Sequence, residues 1–214
     1  MSISDSGYNV ITTLNAFKNC VQNDNSTIDL FLFVEAYKEL LKYLDHLGKI
    51  FNFVKADIVD KFQNLDKCMK RDSKNYKTIQ SSIEFEKQDK KVYMQNPNAT
   101  LSILRLIRGL DFIRKFLENL YKNKDTNKKT PELAIWAYEE TLAFRHNWVV
   151  RKMVRTGLYL LPYKADLITN MSHGIQNDKD SDFIFKDFLS TIDNIYSIIH
   201  KLYDENNFLE LVIA

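Results

Sequence analysis

Only five glycines and three prolines punctuate the 214 residues of this chain. A β-sandwich or barrel needs turn residues about every ten positions, and here they are missing. The apolar spacing is helical instead. Ile58, Phe62, Leu65 and Met69 recur at i, i+4, i+7 and i+11, the stripe of an amphipathic helix. Ile103, Ile107, Leu110, Ile113, Leu117 and Leu120 repeat the pattern farther along. The periodicity predicts helices over residues 8–22, 28–46, 50–70, 74–93, 99–122, 131–145, 147–160, 162–172 and 181–204. Polar stretches such as "NDNST", "NKDTNKKTP" and "GIQNDKDSD" separate them as loops. Pro131 and Pro162 each suit the first turn of a helix, where a missing N–H costs nothing. No internal repeat or composition break marks a second unit, so the expectation is an all-α single domain over 1–214.

With 45% hydrophobic and 13% aromatic residues, such a chain can bury a sizeable core. A net charge of +2 is too small for a dedicated nucleic-acid binder. Cys20 and Cys68 follow no metal or redox spacing and fit a reducing compartment. The first twenty residues lack the basic start and apolar run of a signal peptide, and no stretch reaches the ~18 apolar residues that span a bilayer. The expected location is cytoplasmic, peripheral at membranes. Glycine-rich phosphate loops, paired-cysteine metal motifs, HExxH and Gly-x-Ser-x-Gly are all absent from the sequence. The four histidines are scattered. No catalytic residue, metal ligand or cofactor is expected, and the chain does not read as an enzyme.

Three polar groups flank apolar stripes. Asp57 and Lys61 stand i, i+4, beside Ile58, Phe62 and Leu65, as a surface salt bridge or as a pair at the core's edge. Arg105 and Arg108 stand i, i+3 on their helix, as two snorkelling cations or as a binding pair. His146 opens "HNWVVRKMVRTGLYLLPYKADLI", in which apolar residues interleave with cations. That stretch suits a core helix and equally a surface meeting something both greasy and anionic.

Taken together these residues resemble the glycolipid transfer protein superfamily. "FNFVKADIVDKF" (Phe51–Phe62) is similar to its aspartate-bearing helix, and "LRLIRGLDFIRKFLENL" (Leu104–Leu120) to its second motif. "AYEETLAFRHNWVVRKMVRTGLYLLPYKADLI" (Ala137–Ile168) is similar to its third, and "YLDHLGKIFNF" (Tyr43–Phe53) resembles the ceramide-1-phosphate branch. The resemblance implies a two-layer helical sandwich of about eight helices, acting as a monomer that carries one sphingolipid between membranes. It implies that Asp57 accepts from the ceramide amide N–H and that His146 donates to the amide carbonyl. Lys61 and Arg105 fall where the phosphate branch has cations and glycolipid carriers have asparagine and tryptophan; Arg108 is expected to assist. Leu101 stands where that branch has a further arginine. The third motif is expected to dock on membranes through Trp148, Arg151, Lys152, Tyr163 and Lys164, with Arg145 and Arg155 also outward. Val149, Val150, Met153, Val154 and Leu158 are expected to face the core and pocket. The alternatives are a glycosphingolipid carrier, a lipid sensor, or a helical protein-interaction module with a vestigial pocket.

Overall fold

The computed structural model describes residues 8–47, 51–88, 97–123, 129–171 and 178–211. Among them lie nine α-helices: α1 (Val10–Cys20), α2 (Leu30–His46), α3 (Asn52–Arg71), α4 (Ile79–Gln88), α5 (Ala99–Lys122), α6 (Thr130–Thr141), α7 (Trp148–Tyr159), α8 (Lys164–Met171) and α9 (Asp178–Glu205). A 3-10 turn, Ala143–Arg145, joins α6 to α7. The helices stack as a two-layer sandwich, as expected.

Local chemistry sets most of the helix ends. Asn9, Asp29, Asn98 and Asn147 cap α1, α2, α5 and α7 by accepting from backbone N–H groups of the first turn. Pro131 occupies the first turn of α6. The helix expected from residue 74 starts at Ile79, because Asp72 and Asn75 close a turn and Thr78 and Ser81 exchange two hydrogen bonds at its head. The helix expected to run to 145 stops at Thr141, and the 3-10 turn takes up its remainder.

α5 is the hub, packing on α3, α4, α6 and α9, while α1 joins α2 to α9. Its start is pinned by Glu86 of α4, a buried carboxylate that accepts from the Ala99 and Thr100 backbone N–H groups, the Thr100 hydroxyl and Tyr76 Oη. Farther along, Tyr37 Oη donates to Leu106 O at 2.5 Å and Tyr203 Oη donates to Thr100 O at 2.6 Å. These bonds satisfy phenols that are otherwise buried among Phe17, Phe33, Ile103 and Ile199. They also fix the rotation of α5, and with it the direction in which Arg105 and Arg108 leave the helix. Cys20 and Cys68 are both buried as free thiols; burial pushes the Cys20 thiol up to about 12.

Asn207 ends α9 with φ 58, in the left-handed region. The Asn207 N–H donates to Asp204 O and the Phe208 N–H to Tyr203 O, the paired bonds of a Schellman cap, with Phe208 and Tyr203 buried. This turn folds the C-terminal segment back over the body, so Leu209 and Glu210 lie across the flank of α5.

Candidate functional site

Lys61 and its two acidic neighbours divide unequally between core and solvent. The lysine side chain is 5% exposed, whereas those of Asp57 and Asp60 are 67% and 59% exposed. Its Nζ lies 2.9 Å from Asp57 Oδ1 and 2.9 Å from Asp60 Oδ2. Drawing an ammonium out of water costs several kcal/mol unless it is paired, and here two carboxylates share that task. The hydrogen bond and charge of Lys61 hold the Asp60 carboxyl below the usual range, helped by Lys67 and Arg105.

Arg105 is exposed on α5, one turn from Arg108. Arg108 is half-buried, and its Nη2 donates to Leu209 O at 2.5 Å. Burial, then the like charges of Arg145 and Arg105, push its guanidinium down to about 10. Its Nε is buried with no partner among the described residues. His146 follows the 3-10 turn, with Nδ1 2.8 Å from Oη of the buried Tyr138. Burial raises the Tyr138 pKa, so the phenol is protonated, and burial likewise lowers that of His146, so the imidazole is neutral. When Tyr138 donates to Nδ1, the ring proton sits on Nε2 and that N–H is available as a donor. The charge of Asp57 opposes the lowering at His146. Of the five residues expected from sequence to read headgroup and amide, Asp57 is bonded to Lys61 and acts on His146, and Arg105 acts on Arg108 in the N-terminal half of α5.

Beside them, a cleft of ≈ 170 Å³ opens between α5, α6, the 3-10 turn, α9 and the folded-back tail. Its walls include Arg108, Phe144, Arg145, Tyr196, His200 and Glu210.

Trp148, 75% exposed, and Tyr163 stand on the surface, while Arg151 and Lys152 are exposed beside them. Lys164 departs from expectation: it is buried and donates through Nζ to Asn123 O, the carbonyl just past the end of α5. The helix's negative C-terminal end draws the ammonium inward. Arg155 is exposed and pairs with Glu139, whereas Arg145, its side chain only 22% exposed, pairs with Glu210. Val149 and Met153, expected inside, are exposed; only Gly157 and Leu158 of α7 are fully buried. Trp148, Lys152 and Tyr159 form one exposed row, at i, i+4 and i+11, and Val149, Met153 and Leu160 form the next. A short helix packed mainly on α6 cannot cover every apolar residue it carries.

Sequence spacing missed Asp60, Tyr138 and Glu210. Asp60 precedes Lys61 directly, a spacing that does not flag a facing pair on a helix. Tyr138 and Glu210 reach their partners across turns that no periodicity reports.

The profile of the family described as Glycolipid transfer protein matches residues 28–173. This chain belongs to the glycolipid transfer protein family. The ceramide-1-phosphate transfer protein of Xenopus tropicalis is 28% identical to it, over 99% of this chain and 100% of that protein. The crystal structure of the mouse ceramide-1-phosphate transfer protein in its apo-form superposes with a TM-score of 0.88 at 28% identity, over 96% of this chain and 100% of that one. The human ceramide-1-phosphate transfer protein in complex with 2:0 ceramide-1-phosphate also gives 0.88, at 26% identity, over 97% and 100% of the two chains.

Proposed function

We propose that this protein takes one ceramide-based lipid with a phosphate headgroup out of one membrane and delivers it to another. The observation that supports the reading is a set of paired charges: Lys61 bonds Asp57, Asp57 acts on His146, and Arg105 acts on Asp60 and Arg108. Asp57 accepts from the amide N–H, and the Nε2–H of His146 donates to the amide carbonyl. Lys61 and the arginines hold the phosphate, whose dianion suits guanidinium donors. The similarity to ceramide-1-phosphate transfer proteins over nearly the whole chain supports the same headgroup.

The energetics favour a carrier. A two-chain lipid exposes about thirty methylenes at ~0.8 kcal/mol each, so unaided desorption faces a penalty on the order of 20 kcal/mol. The apolar interior between helical layers removes most of that penalty without covalent chemistry, because helices satisfy their own backbone hydrogen bonds beside lipid. Docking falls to α7 and the segment after it. Trp148, Val149, Met153, Tyr159, Leu160 and Tyr163 offer an apolar surface, and Arg151 and Lys152 add attraction to an anionic leaflet. Among the described residues no helix is long and apolar enough to cross a membrane, which suits peripheral docking from the aqueous phase.

Transfer of fluorescent lipids between vesicles tests the reading. Wild type is expected to move ceramide-1-phosphate in preference to galactosylceramide. The double variant Lys61→Asn/Arg105→Trp is expected to lose at least tenfold on the phosphate lipid, as removal of charge-assisted bonds demands. Preference of wild type for the sugar lipid would reverse the headgroup assignment; movement of neither lipid would sink the carrier reading.

A further inference from the structure

We propose that Arg145 is a phosphate-binding residue of this chain, and that Glu210 on the folded-back tail occupies its guanidinium until the headgroup phosphate displaces it. The inference rests on the carrier reading above and names a residue and a partner that the motifs do not supply.

Four observations meet here. Arg145 grips Glu210 through both ends of its fork, Nη1 to Oε2 at 2.8 Å and Nη2 to Oε1 at 2.7 Å. Two oxygens of a phosphate monoester reproduce that geometry, so the carboxylate is a fair stand-in for the proposed ligand. The pair is also lopsided: the Glu210 side chain is 76% exposed and that of Arg145 only 22%. Release of the carboxylate into water therefore costs little, whereas the guanidinium stays in the cleft wall beside Phe144, its Cζ 4.7 Å from the ring centroid. Third, Arg145 and Arg108 line the same cleft, and the charges of Arg145 and Arg105 both lower the pKa of Arg108. Arg108 adds a buried Nε–H without an acceptor among the described residues. Fourth, Leu101, one turn before Arg105 on α5, is half-buried against the core and brings no charge.

Other charges border the cleft. Asp111 is held by Arg114 at 2.8 Å, while Glu140 and His200 line the wall. Glu140 opposes an anion whether or not Glu210 is present, so displacement of Glu210 decides whether the surface becomes positive enough to hold a phosphate. The tail is positioned for that role by the cap at Asn207 and by the Arg108 bond to Leu209 O.

The test uses opposite signs. Arg145→Gln and Glu210→Gln break the same ion pair, so a purely structural bridge predicts that both variants shift ceramide-1-phosphate transfer the same way. The displacement model predicts that Arg145→Gln lowers it by about tenfold, the loss of one strong charge-assisted contact. Glu210→Gln raises it roughly two- to threefold, since only an exposed competitor is removed. Arg145→Lys restores part of the transfer, having the charge without the fork. Shifts of the same sign in the first two variants overturn the proposal. Arginine Nε–H resonances of the full chain, titrated with ceramide-1-phosphate vesicles and separately with inorganic phosphate, separate the possible sources. Movement of Arg145 with the lipid supports the inference; movement with inorganic phosphate alone makes this a free-phosphate site and overturns the lipid assignment. Failure of wild type to transfer, with Arg145 silent to both, sinks the carrier reading and the inference together. If Arg145 still responds to the lipid, the inference stands and only the transfer step falls.

Discussion

α5 and α7 carry similar mixtures of apolar residues and cations, yet the fold treats them differently. α5 buries ten of its 24 residues between Ala99 and Leu120, and only its flank offers Arg105 and Arg108. α7 buries two of its 12 and leaves Trp148, Val149, Met153 and Tyr159 in solvent. Amphipathic spacing states that a helix has an apolar side, but it does not state what covers that side. For α5 the cover is the protein's own second layer. For α7, on the reading above, it is a membrane supplied at the moment of exchange. The same physical signal thus serves stability in one place and encounter in the other.

The largest effect that would break this contrast is on stability. Ile103→Ala, at a fully buried position, is expected to cost about 2–5 kcal/mol in urea unfolding. Met153→Ser is expected to stay within about 0.5 kcal/mol, as at an ordinary surface position. Comparable losses at both sites would mean that α7 is covered by the protein after all. Next in size, Trp148→Ala should leave unfolding unchanged and weaken partitioning to anionic vesicles by roughly tenfold, the loss of one large interfacial side chain. Undiminished vesicle binding would move the docking surface elsewhere.

The smallest effect lies at the junction between the two regions. Burial lowers the pKa of His146 below its ordinary 6.5, so the unfolded chain takes up this proton first as the pH falls. Its contribution to stability is complete above that ordinary value and drains away as the pH drops through the folded one. His146→Gln should therefore flatten the fall in urea stability between about pH 7 and pH 5. An identical slope in wild type and variant would show that the proton goes elsewhere.

What was legible in the sequence was local. Helix α5 emerges with both of its ends as expected, because a long periodic stripe and the Asn98 cap are encoded within a few turns. The pairing of Asp57 with Lys61 was readable for the same reason, since residues four apart on a helix face each other. The third motif was recognisable by resemblance, but its orientation was not: Val149 and Met153 face out and Lys164 faces in. Those outcomes depend on what lies opposite, namely α6 for one side of α7 and the carbonyl of Asn123 for Lys164.

The tail states the division most sharply. Local chemistry accounts for its turn, because asparagine tolerates the left-handed backbone that Asn207 adopts. Nothing local announces that Glu210 closes on Arg145, 65 residues earlier. Backbone propensity, capping and i, i+4 spacing act over a few residues, so the chain alone determines its helices and their near neighbours. Charge pairing, burial and access to solvent act through space, and only the packed sandwich decides which cations are spent on the protein and which are left for a ligand.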